Sequence, residues 1–261
     1  MRAFFPNPPH FWRDRIQASL THLGLSLGVA ALAALLVFGV WYPYPYSELS
    51  GGRELFLILI TVDVILGPLI TLAVFNRQTK PLTELRRDLA IVALLQLAAL
   101  GYGLWTVCVS RPVHLVFEYH RFAAVHAINV PEERLPFAQT GLKTMPLTGP
   151  TLLSLRDFKD PEEKLEMTVA ALGGVSLAAR PELWQPYDRA AEQIRKEAKP
   201  MAALKQRFPM AQQQIDAALA KHGPEAQGYV YLPMVGRKTF WTVVLDPVSL
   251  RVKEFLPLDS F

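Results

Sequence analysis

Three long apolar runs dominate the first part of the chain. From Ile16 to Ser47 no Asp, Glu, Lys or Arg occurs, and the apolar heart is about Leu20–Val40. Leu55–Asn76 is apolar except for one carboxylate, Asp63. Leu89–Ser110 carries no charge and contains Gln96, Tyr102 and Trp105. At ~1.5 Å of rise per residue, about twenty apolar residues cover the ~30 Å hydrocarbon core of a bilayer. The pattern therefore predicts three membrane helices, over about 18–41, 55–76 and 89–110. A cleaved signal peptide would need a shorter apolar core and an A-x-A-like site, so the first run is expected to stay uncleaved.

After Arg111 the pattern shortens. Val113–Tyr119 and Phe122–Ile128 read as two strands around a turn at His120-Arg121. Pro131–Pro150 is rich in Pro and Gly and reads as a loop. Helices are expected at Pro161–Leu172, Pro186–Lys199, Pro200–Phe208 and Pro209–His222. Three closing strands follow, Gly228–Val235, Thr239–Leu245 and Leu250–Leu256. Strands, helices, then strands predict an α+β domain with an antiparallel sheet. The expected organisation is a membrane domain at 1–111 and an exported domain at 112–261.

The second run carries the sharpest chemistry. Asp63 sits well inside the expected span, where a lone carboxylate is costly unless neutral, paired or wet. Gly67 lies one helical turn on and shares its face. Pro68 lacks an N–H, which in an α-helix leaves the Val64 carbonyl without its donor. Two readings stand. Asp63 pairs within the protein, with Gln96 as an available partner, or it receives a polar group from another membrane helix. In the first run Gly24 and Gly28, with Ala30 and Ala34, form a small-residue stripe that lets a helix approach closely.

Charge orients the spans. Arg2, Arg13 and Arg15 flank the first run; Arg77, Lys80, Arg86 and Arg87 lie between the second and third. The segment between the first two has only Arg53, after the aromatic belt Trp41–Tyr46. The positive-inside rule then places the N-terminus in the cytoplasm and everything after Arg111 outside. The whole chain is 51% hydrophobic with mean hydropathy +0.20, which supports membrane segments. Residues 111–261 hold 19 Lys/Arg against 17 Asp/Glu, so no nucleic-acid-binding surface is expected. The single cysteine, Cys108, allows neither an intrachain disulfide nor a thiol cluster.

The signals for catalysis are weak. His114, His120 and His126 recur every six residues, but the turn at His120 breaks a shared strand face, and scattered histidines are expected. Gly174-Val-Ser176-Leu-Ala178 misses the G-x-S-x-G elbow. No metalloprotease, P-loop or dinucleotide signature occurs. No catalytic residue, metal or cofactor is expected, and the chain does not read as an enzyme.

Tyr42-Pro43, Leu49-Ser-Gly-Gly52, Val62-Asp-Val-Ile-Leu-Gly-Pro68, Gln96, Tyr102-Gly103 and Arg111-Pro-Val113 resemble the TfpX/TfpZ-type type IV pilin accessory proteins. Arg180-Pro-Glu-Leu-Trp184, Tyr187 and Lys199-Pro200 fit the same pattern. The resemblance covers most of the chain and is loosest between Val130 and Ala178. It implies a bacterial inner-membrane, non-catalytic factor that helps a cognate major pilin accumulate and assemble. Its implied partners are a type IV major pilin and the bilayer, with other pilus assembly proteins as further candidates. The family supplies no site residues; the polar face of the second run makes Asp63, Gly67 and Pro68, with Gln96, the candidate contact with a pilin helix. The alternative is a membrane-anchored periplasmic ligand-binding or sensory protein, which requires a pocket of convergent polar groups.

Overall fold

The structure is a computed structural model that describes residues 11–77 and 80–261. Arg2, Pro8 and Pro9 lie outside the described residues. The chain divides into two compact units. One holds 11–39 and 53–108 among the described residues; the other holds 40–52 and 109–261.

The first unit is helical. α1 (Phe11–Leu36) ends in a π-helical turn, Val37–Trp41. The next span follows a short helix, α2 (Tyr46–Leu49), which belongs to the other unit. That span joins α3 (Gly52–Thr61), a π-helical turn (Val62–Leu66) and α4 (Gly67–Val74); α5 (Leu82–Val109) follows. All three spans are long and apolar enough to cross a membrane. Within their most apolar windows only 11%, 28% and 11% of positions, in chain order, are buried inside the protein. The second span is the most covered because both others pack on it. Arg15 on α1 donates to the carbonyls of Phe75 and Ala73 at the end of α4, at 2.6 and 3.0 Å. A cation there satisfies carbonyls that have no helical donor. Leu59 of α3 fills the space beside Gly103 of α5, so that glycine is used within the protein.

The second unit is built on one sheet of eight strands. β1 (Pro112–Glu118) and β2 (Arg121–His126) form an antiparallel hairpin. β3 (Thr151–Leu155) lies parallel to β1 and is flanked by β4 (Trp184–Pro186). β6 (Val230–Val235) runs parallel to β2 and leads into the meander β7 (Phe240–Leu245) and β8 (Val252–Leu256). The two-residue β5 (Lys199–Pro200) pairs with the start of β6. The sheet is thus mixed, not purely antiparallel as the order of elements predicted. The cause is the crossover from β2 through residues 127–150, which returns β3 alongside β1 in the same direction. Within the expected loop the chain forms 3-10 turns at Ala127–Asn129 and Glu132–Phe137.

Alternation along the strands sends side chains to two faces. Leu115, Phe117, Leu232, Met234, Val243 and Leu245 meet Ile194 of α7 (Ala191–Glu197) on one side. Val113, Val116, Val125 and Leu153 meet Trp184 and Met167, the latter from α6 (Pro161–Leu172), in a second cluster. Tyr231, Val244 and Leu256 meet α8 (Met201–Arg207) and α9 (Gln212–Ala220) in a third. The helix expected over Pro186–Lys199 is shorter: Tyr187–Ala190 forms a 3-10 turn before α7. The one expected over Pro209–His222 likewise opens with a 3-10 turn.

The larger difference concerns residues 40–52. The boundary drawn at 111 leaves them with the spans; the structure builds them into the sheet unit. Tyr46 and Leu49 belong to the same apolar cluster as Trp241 and Met234. The Leu49 carbonyl accepts from the Lys238 N–H at 3.1 Å. Gly51 holds φ +78°, a left-handed turn that glycine adopts without a Cβ clash.

Candidate functional site

The site is the polar seam along the second span. Its local fold follows from Pro68. The turn Val62–Leu66 has π rather than α hydrogen bonding. In a π register the carbonyl facing the nitrogen of residue 68 belongs to residue 63, five positions earlier. Pro68 has no N–H to give, so in that register the Asp63 carbonyl lacks its helical donor. Gln96 of α5 supplies the missing donor, with Nε2 to Asp63 O at 3.3 Å. That proline-made gap therefore ties the third span to the second.

The four candidate residues meet, but not as an open notch. Gly67 and Pro68 are buried. A Cβ added at Gly67 would run into the Gln96 amide, so Gln96 itself occupies the space that glycine leaves. Gln96 does bond Asp63, through the backbone rather than the carboxylate. The carboxylate oxygen Oδ1 is buried and accepts no hydrogen bond from any described residue.

Polar side chains missed in the sequence continue the seam along α1. Ser19 Oγ donates to Pro68 O at 2.9 Å, and His22 Nδ1 lies 2.5 Å from Thr71 Oγ1. Thr71 is buried. Ser19 and His22 stand on one side of α1, about one turn apart, which was the available signal. Gly24 and Gly28 play no part: a Cβ at either would meet nothing. Cavities of about 510 Å³ and 210 Å³ flank the seam.

In the sheet unit the histidines separate. His114 places Nδ1 2.7 Å from Thr151 Oγ1 and Nε2 2.9 Å from the Thr144 carbonyl. His120 is exposed on the hairpin turn, and His126 is buried. Burial pushes His114 and His126 down to about 4; Arg237 adds to the effect at His126. Among the described residues no cluster of metal-ligating side chains forms. A surface cleft of about 720 Å³ is lined by Arg134, Arg156, Glu163 and Glu182, among others. Its two arginines are paired, Arg156 with Glu163 at 2.7 Å and Arg134 with Glu182 at 3.7 Å, and Glu182 also meets Arg180 behind it at 2.9 Å. Arg156 and the Lys159 N–H hold the Glu163 carboxyl down at about 2.

Two fimbrial assembly proteins of Dichelobacter nodosus, of serogroups I and E1, are 36% and 34% identical to this chain over 242 residues. Each alignment covers 92% of this chain and 93% of the relative. The chain belongs to the fimbrial assembly protein family. The family model for fimbrial assembly protein FimB matches residues 10–51. Among the described residues this stretch is α1 together with the segment that joins the sheet unit. A further fimbrial assembly protein of that organism, of serogroups C1 and C2, is 39% identical over 117 residues, 45% of this chain and 88% of the relative. No solved structure matches. The relatives support a role of the protein in fimbrial assembly, and the polar seam is the candidate site.

Proposed function

We propose that the protein is a non-catalytic, inner-membrane accessory factor of the TfpX/TfpZ type, which stabilises a cognate type IV major pilin and promotes its assembly. The carrying observation is the relationship along 92% of the chain to proteins called fimbrial assembly proteins. Three exposed apolar helices suit a lipid surround, and the basic flanks support a cytoplasmic N-terminus and a periplasmic sheet unit. A pilus subunit awaiting assembly has a membrane helix and an exported head, and this chain offers one unit to each. Binding that covers the subunit raises its resistance to loss by mass action. The ligand-binding or sensory alternative is disfavoured by the cleft in the sheet unit, whose two arginines are already paired with Glu163 and Glu182.

Deletion of the protein should lower the level of one major pilin in the same bacterium without lowering its transcript. The tagged full-length protein, extracted in mild detergent, should bring that pilin down with it. Unchanged pilin levels and no co-purification would overturn the reading.

A further inference from the structure

The Gly67 notch is closed by Gln96, yet the seam leaves one group unsatisfied, and a furrow opens in front of it. The two cavities beside the seam share His22, Leu25 and Ala93 in their walls, so they form one furrow between α1 and α5 with the second span as its floor. Its α1 wall runs from Asp14 to Ala30. Sixteen steps of α-helical rise make that ~24 Å, most of a bilayer's hydrocarbon thickness. Asp63 lines this furrow, and its buried Oδ1 has no hydrogen-bond donor among the described residues.

We propose that this furrow is the seat of one membrane-spanning helix of a partner, which lies between α1 and α5 and presents a hydrogen-bond donor or cation at the depth of Asp63. The proposal rests on the reading above, which makes the partner a pilin. The length of the furrow matches a span, and its mostly apolar walls suit a helix face. A lipid chain would also fit the walls but has no donor for the carboxylate. A helix that brings one gains an interhelical polar contact typically worth a few-fold to about twentyfold in affinity.

The test is photocrosslinking in cells. A photoreactive residue replaces Leu25 or Leu97 in the furrow walls, or Ile58, which is exposed on the opposite side of α3. Each variant of the full chain is co-produced with the tagged major pilin of the same bacterium. The expected result is a pilin adduct from Leu25 and Leu97 and none from Ile58. Leu25→Trp, which fills the furrow, and Asp63→Leu should each lower pilin recovery several-fold at matched protein levels; Ile58→Trp should not. Pilin that co-purifies but crosslinks only from Ile58, or from none of the three positions, overturns the furrow and leaves the assembly role standing. Adducts only to lipid, or only to a second copy of this chain, also overturn it. No pilin recovered with the unmodified protein overturns both.

Discussion

At the scale of single residues, burial decides what a titratable group does. His114 is enclosed between β3 and the preceding segment, with Trp184 4.5 Å from its ring. His126 is 1% exposed, and its Nε2 has no hydrogen-bond partner among the described residues. Both imidazoles titrate at about 4 when folded, against about 6.5 in the unfolded chain. Between these values the unfolded state binds more protons. Stability is then fully present above pH ~6.5 and is lost as pH falls towards 4, each histidine contributing on the order of 3 kcal/mol at most. Urea unfolding of the detergent-solubilised protein, followed by tryptophan fluorescence, should show a lower midpoint at pH 5 than at pH 7.5. A flat profile would refute the assignment. Glu163 acts in a separate, more acidic window: its stabilisation is present above about 4.5 and fades as pH falls towards 2. The spacing of Asp63, Gly67 and Pro68 was legible in the sequence. That Gln96 bonds the Asp63 carbonyl was not, because it goes with a π-helical turn at Val62–Leu66 that local propensity does not specify.

At the scale of elements, the surprise is the segment between the first two spans. Read as a sequence, Trp41–Tyr46 is an interfacial belt and the residues after it a short loop. Folded, Tyr42 and Leu49 are fully buried, and Tyr46 packs its ring 6.1 Å from that of Phe255. Truncating Leu49 to Ala should therefore destabilise the sheet unit by about 2–5 kcal/mol, the usual cost of emptying a core leucine site. Denaturant unfolding reported by Trp241, in the same cluster, is the measurement. An unchanged midpoint would mean that the segment merely rests on the domain. The sequence could not show this because the partners of Leu49 lie near residues 115–117 and 232–245, far along the chain. β3, β4 and β5 were missed for a related reason. They are five, three and two residues long and are held by pairing rather than by any periodic pattern.

At the scale of the whole molecule, the chain enters the sheet unit twice: once between the first two spans and once after the third. A periplasmic reporter fused after Phe261 should be active, and so should one placed in the exposed turn near Gly141. The same reporter in Arg77–Arg87 should be silent, since that segment and the first flank together carry seven Lys/Arg. The reverse pattern would invert the topology and place the sheet unit in the cytoplasm. Three apolar helices and a following α+β domain were determined by the sequence itself. Length and composition suffice for a span, and period-two runs suffice for the long strands. Tertiary structure alone decided the parallel pairings of the sheet, the membership of residues 40–52 in its core and the closure of the Gly67 notch by Gln96. Each of these joins residues separated by tens of positions, and such contacts are selected by packing and hydrogen-bond satisfaction in three dimensions rather than by any local pattern.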